Sequence, residues 1–426
     1  MKKTTLYNLI ATFFITMGVS SCADFLDQEN PAYDAEGFYA TEAGLKEGVT
    51  GIYPLLYFDM NWAVPACIVL DHYTAYGLEQ DENSSIGAGG TLNPDNGKIQ
   101  AFWTGEYQIA ARANSVIYGA KDAVAGMSDA ARQYYAEARV LRAYAYYNLI
   151  SAFGDVPFFT APVTIDEYKV GRTPKGEIID FLIKDLNDAA DYLPWTATQR
   201  GRVDKAVAYG LIARMGLFGG SFNVENKATE YFRIAADAAN KVIGKRKLAP
   251  KFSDLFNLTG QAKSEVRDEL LWELMYSTNG TKKLHTVGYG HSSRNYASSV
   301  RFPSSLIVDT YECIDGKRID ESPLYDPKHP TLNRDPRFNA TLAGHGDTIN
   351  YTITDGNNPQ KLILNIYDDK TRFYPRRNAW YTAPNVDVTS TSPSLVNSGV
   401  GYLWRKYADE NTELLMSSSS NLILMR

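Results

Sequence analysis

The stretch SDAARQYYAEARVLRAYAYYNLISAF at 128–153 limits what this chain can fold into more than any other. Ala138, Leu141, Ala145, Leu149 and Phe153 recur at helical spacing along one face, and Val140, Tyr144 and Tyr147 set a second apolar stripe beside it. A helix that is apolar on two sides needs a neighbour on each, so it must be sandwiched. Ser128 supplies an N-cap, and Gly154 with Pro157 just beyond supplies the stop.

Suitable neighbours follow in the chain. Over 173–194, Ile178, Leu182, Leu186, Ala189 and Leu193 form a stripe, with Thr173 and Pro174 expected at the N-cap and first helical positions and Pro194 as the stop. VDKAVAYGLIARMGLFGG then leads into ENKATEYFRIAADAANKVIGK. Ala206, Gly210 and Ala213, with Ala235 and Ala239 on the next helix, are expected to let two antiparallel helices approach closely. This pair resembles a tetratricopeptide repeat in length and small-residue placement, though without the full consensus, and such pairs stack into scaffolds. From about 277 to 420 the composition turns to Ser, Asn, Pro and Gly with short extended pieces such as LILNIYD. The expected fold class is mainly α: tetratricopeptide-like repeats over 22–276, then a loop-rich region with short strands over 277–426.

The N-terminus gives an address. Lys2 and Lys3 precede a charge-free run from Leu6 to Val19, the layout of a secretory signal. A membrane-spanning helix needs roughly 20 apolar residues, and this run is shorter and carries Asn8. Val19-Ser20-Ser21 leads straight into Cys22, so residues 1–21 resemble a lipoprotein signal in which the Cys22 thiol is acylated; the alternative is a plain secreted protein with a cysteine near its cleavage site. Losing Lys2 and Lys3 takes the net charge from −6 to −8, which argues against a nucleic-acid partner, because phosphates need a basic face. Cys67 and Cys313 could pair in an oxidising compartment or stay as two buried thiols, the latter being favoured. Tyrosine outnumbers phenylalanine, 29 to 18, a balance suited to wet aromatic surfaces.

Chemical motifs are scarce. GYGHSSR fails the G-x-S-x-G spacing, none of the five histidines (72, 285, 291, 329, 345) sits in H-E-x-x-H, and His345-Gly346-Asp347 reads as a solvated turn. GAGGT at 87–91 lacks phosphate-loop spacing. No catalytic residue, metal ligand or cofactor is assigned. Two carboxylates would suffice for glycoside hydrolysis, so an anchored hydrolase is kept as a lesser alternative.

The strings ARVLRAYAYYNLISAFGDVPFF (138–159), IIDFLIKDLNDAADYLP (178–194) and YECIDGKRIDESPLYDPKHPTLNRDPRF (311–338), with CADFLD at the start of the mature chain, resemble the SusD/RagB family of outer-membrane lipoproteins. That resemblance implies a lipid-anchored, surface-exposed protein on the outer membrane that binds oligosaccharides without cleaving them. It also implies a SusC-like TonB-dependent transporter as partner. RagB-like capture of peptides is the alternative on the same fold. Asp24 and Asp27 behind Cys22 are similar to the family's surface-export signal. Against the family's pattern the chain is expected to lack a C-terminal helical piece, which would leave Leu422, Ile423 and Leu424 with nothing to bury them.

Sugar capture calls for flat aromatic rings flanked by amides and charged groups, on loops. Three clusters qualify: Trp62, His72, Tyr73 and Tyr76; Tyr289, His291, Arg294 and Tyr296; and Arg376, Arg377, Asn378, Trp380 and Tyr381. The family's ligand contacts follow no motif, so none is carried over by position. For each cluster, packing beneath its own loop is the competing reading. Trp103, spaced helically with Tyr107, Ala110 and Ala111, is assigned to the core.

Overall fold

The computed structural model describes residues 35–61, 64–66, 70–79, 95–277, 301–355, 358–363, 372–374, 379–381, 401–407 and 420–426. Among the described residues, seven α-helices of five residues or more organise the first part: α1 (Ala35–Tyr39), α2 (Glu42–Thr50), α3 (Gly97–Ala120), α4 (Asp129–Phe153), α5 (Lys175–Ala190), α6 (Lys205–Ser221) and α7 (Ala228–Val242). The first two were not anticipated from sequence. Among the described residues every sheet is a two-stranded antiparallel pair, in keeping with a mainly helical fold.

Helix α4 is sandwiched as its two stripes require, against α3 on one side and α5 and α6 on others. Val140 is fully buried. Tyr144 meets Trp272 edge-on at 4.9 Å between centroids, and Tyr147 meets Phe218 at 6.2 Å. The ends follow the expected chemistry. Ser128 Oγ accepts from Ala131 N at 3.1 Å, and Gly154 takes φ +73°, a left-handed value that disfavours any residue with a Cβ.

Helix α5 departs from its expected caps. It begins at Lys175, so the cap position falls on Pro174, which has no side-chain acceptor. The side chain of Asp155 stands in for Thr173: its Oδ1 accepts from Lys175 N at 2.9 Å. The helix also stops at Ala190, before Pro194, and Leu193 beyond its end is still buried as the stripe requires.

The α6–α7 hairpin approaches closely, but through other glycines than expected. A Cβ on Gly216 would stand 2.7 Å from Tyr231 O and 2.8 Å from Ala235 N, and Gly219 and Gly220 face the rings of Tyr231 and Phe232. Gly210 instead makes room for Met425. Ala235 is buried at the contact as expected.

Buried ion pairs bolt the helices together. Arg139 and Arg142 of α4 both pair with Asp185 of α5, at 2.6 and 2.8 Å. Arg202 reaches Glu137 at 2.8 Å, and Tyr53 OH donates to the same carboxylate at 2.7 Å.

The end of the chain corrects another expectation. Leu422–Met425 forms a strand antiparallel to Trp272–Leu274, and Leu422, Leu424 and Met425 are buried in the main core. They find their cover in a strand edge and helix α6. Asn421 Nδ2 donates to Glu273 Oε1, and the Gln261 side chain brackets the Asn421 backbone. Cys313 is a buried free thiol; Cys67 and Cys22 lie outside the described residues. A smaller core of Val308, Phe338 and Leu342, edged by Tyr311, Tyr402 and Trp404, holds the later loops.

Candidate functional site

Helix α3 carries two adjacent stripes. Trp103, Tyr107 and Asn114 occupy one and Thr104, Gln108, Ala111 and Ser115 the next, so aromatic rings and short polar groups share a single helical face. This face forms one wall of a groove of about 590 Å³. Tyr146 of α4 lies at its floor, and Pro157, Phe159, Ala161, Pro162, Val163 and Tyr168 form the opposite wall. Trp103 packs against the main core as expected and also lines this groove. It packs edge-on against Phe153 at 5.0 Å and tilts against Tyr107 at 4.8 Å, and part of its surface stays exposed along the groove.

Hydrogen bonds fix the opposite wall. Tyr107 OH donates to Pro157 O at 2.7 Å, Asn114 Nδ2 donates to Phe159 O at 2.8 Å, and Tyr146 OH accepts from Phe159 N at 2.8 Å. Asn114 Oδ1 accepts in turn from Arg142 Nη1 at 3.1 Å. Burial raises the Tyr146 phenol to about 12 and also pushes Tyr107 up, reinforcing the protonated form that a phenol already holds at neutral pH.

The loop clusters foreseen from sequence are placed in part. Tyr76 is 46% exposed, whereas Tyr73 is partly buried against the main core with Lys98 Nζ 5.9 Å from its ring centre. His72 lies in the short helix Leu70–Tyr73. Strand Gly77–Glu79 pairs with Arg301–Pro303, and Ser304 N donates to Tyr76 O at 2.9 Å. The chain leaving the first cluster thus lies beside the chain that follows the second. Trp380 and Tyr381 belong to a strand, Ala379–Tyr381, paired with Arg372–Tyr374. Trp62, Tyr289, His291, Arg294, Tyr296, Arg376, Arg377 and Asn378 lie outside the described residues. His345 is exposed in a turn closed by Gly344 N donating to Asp347 Oδ2 at 2.8 Å. Among the described residues no three His, Cys, Asp or Glu side chains converge as a metal-ligand set.

Comparison with known proteins assigns the fold. A family model described as starch-binding associating with outer membrane matches residues 24–217, and the SusD family model matches residues 268–426. The chain belongs to the SusD/RagB family. It is 27% identical over 308 residues to SusD-like protein P2 of Formosa agariphila, covering 68% of this chain and 56% of that protein. It is 31% identical over 247 residues to the starch-binding protein SusD of Bacteroides thetaiotaomicron, covering 53% and 42%. The chain spans about half the length of the curated relatives it matches. A SusD-like carbohydrate-binding protein from Bacteroides fragilis shares the fold with a TM-score of 0.71 at 21% identity, over 91% of this chain and 72% of that one.

The groove was missed because an aromatic pair four residues apart on a helix reads equally well as core. The telling signal was its companion stripe: Thr104 and Gln108 also stand four apart, beside the two rings, where a buried helix face would be apolar throughout.

Proposed function

We propose that this chain is a surface-exposed, lipid-anchored glycan-binding subunit that captures oligosaccharides and delivers them to a SusC-like TonB-dependent transporter in the outer membrane. The family match over both parts of the chain carries this reading, one of the two models being described as starch-binding associating with outer membrane. The aromatic groove supports it physically, since rings bordered by amides and hydroxyls suit a sugar's C–H face and rim. The match opens at residue 24, directly behind Cys22, which suits a body tethered through that thiol. We take 22–276 as the helical part and 277–426 as the loop-rich part of one body, joined by the pairings of Gly77–Glu79 with Arg301–Pro303 and of Trp272–Leu274 with Leu422–Met425.

A few stacked rings hold each sugar weakly, at about 0.5–1.5 kcal/mol per ring beyond area burial. Dissociation constants are therefore expected between micromolar and millimolar, roughly −4 to −8 kcal/mol, and tighter for longer oligosaccharides. The test is a glycan array run beside an assay for reducing-sugar release. Binding without release is the expected result. Release would restore the hydrolase alternative, and binding of peptides in place of glycans would move the chain to the RagB-like reading.

A further inference from the structure

We propose that the groove between α3 and the segment 157–168 is a subsite for uncharged pyranose rings, built for neutral glycans rather than sulfated or uronic-acid ones. The proposal rests on the glycan-capture reading and narrows its substrate class.

A pyranose offers an apolar C–H face and a rim of hydroxyls. The groove offers the complement. Trp103 and Tyr107 give partly exposed rings on one wall, and Phe159 with Tyr168, at 5.7 Å and 73° to each other, gives rings on the other. Thr104 and Gln108 are exposed, and among the described residues their side chains have no hydrogen-bond partner, so a hydroxyl and an amide stand ready for the rim. The volume, about 590 Å³, falls within the roughly 300–1,000 Å³ typical of small-ligand pockets.

Charge decides the class. Among the described residues that line the groove there is no Lys, Arg, Asp or Glu. A sulfate or carboxylate entering here would lose water and gain no cation, an uncompensated cost. Arg142 lies behind the floor but is 3% exposed, paired with Asp185 at 2.8 Å and engaged by Asn114, so it presents no free charge.

The site is also formed in advance. Tyr107, Asn114 and Tyr146 hold the backbone of Pro157 and Phe159 in place, and Glu167 Oε2 accepts from Thr164 N at 2.6 Å to close the turn before Tyr168. A wall fixed before the ligand arrives removes an ordering cost from binding.

The test is titration calorimetry of the full chain with size-matched neutral, uronic-acid and sulfated oligosaccharides, repeated with Tyr168→Ala and Gln108→Ala. Both side chains are exposed, so unchanged thermal midpoints are expected. The wild type should bind the neutral set, and each variant should bind it roughly tenfold more weakly, the upper end of what one stacked ring or one amide contributes. Neutral binding unchanged in both variants would overturn the groove assignment while leaving glycan capture standing. A wild-type preference for the anionic sets would overturn the proposed class. A wild-type chain that binds no member of the panel removes the glycan reading itself, and the proposal with it.

Discussion

Glu106 sits on α3 with 1% of its surface exposed. Asn148 Nδ2 donates to its Oε1 at 2.8 Å, and among the described residues its Oε2 has no partner. Burial raises its pKa to about 8, against the pull of the Asn148 hydrogen bond. The folded state then holds a proton that the unfolded chain releases near pH 4.5, so stability falls as pH rises from about 4.5 through 8. At pH 7 the cost is roughly 3 kcal/mol, as an upper figure. Glu106→Gln should therefore raise the thermal midpoint by several degrees at pH 8 and change it little at pH 4.5. Thermal scans at the two pH values check this, and equal shifts at both would place the effect in packing. Nothing in the residue order marks this carboxyl: Glu106 follows Trp103 at i+3 and looks like any acid on a helix. Its burial comes from the neighbouring Phe102 and Ile109 and from the facing α4, which only the packed structure supplies.

At the scale of elements, α6 and α7 show how a glycine can oppose its own propensity rule. Gly→Ala in a helix interior ordinarily gains about 1 kcal/mol. At Gly216 the added Cβ would meet backbone atoms of α7 under 3 Å away, which cannot move aside. Gly216→Ala is expected to destabilise by about 1–3 kcal/mol, whereas Gly97→Ala, with open space around it, should be neutral or slightly stabilising. Paired denaturant titrations read both, and a stabilised Gly216→Ala would mean that the hairpin is looser than described. The helices themselves were legible in the sequence: α4, α5, α6 and α7 each show a stripe, a cap or a stop. Which small residue sits at the contact was not, because Gly210 and Gly216 are six apart and lie on different faces. Only the strand Leu422–Met425, arriving from far along the chain, assigns Gly210 to itself. The same distance hid the cover of Leu422 and Leu424.

At the scale of the whole molecule, tether and partner are the features to test. Cys22→Ala should leave a soluble, unacylated protein; material that stayed with the outer membrane after high-salt washing would count against the lipid anchor. The wild type, solubilised in detergent, should co-purify with a TonB-dependent barrel, and repeated pull-downs without one would count against delivery to a transporter. The family was legible because its strings are dispersed through the chain in order, and the family models match over 24–217 and 268–426. The candidate binding surface was less so, since rings such as Tyr73 and Trp103 pack against the core while keeping part of their surface exposed, and that exposure is set by segments remote in sequence.

The strand Leu422–Met425 also sets an order of events in time. Asn421 and its partner Glu273 are 148 residues apart along the chain, while α3 to α7 meet mostly near neighbours. Local helical contacts form quickly, and closing so long a loop is slow, so the helices should assemble before their last strand docks. Until then Trp272, buried to 1% in the finished fold, lies at an unpaired edge. Stopped-flow refolding should show the far-ultraviolet helical signal recovering ahead of the Trp272 emission change, read as the difference between the wild type, which has six tryptophans, and Trp272→Phe. In that interval the chain is a nearly complete scaffold with a sticky seam, and Leu422→Asp, by weakening the docking, should prolong the interval and promote aggregation.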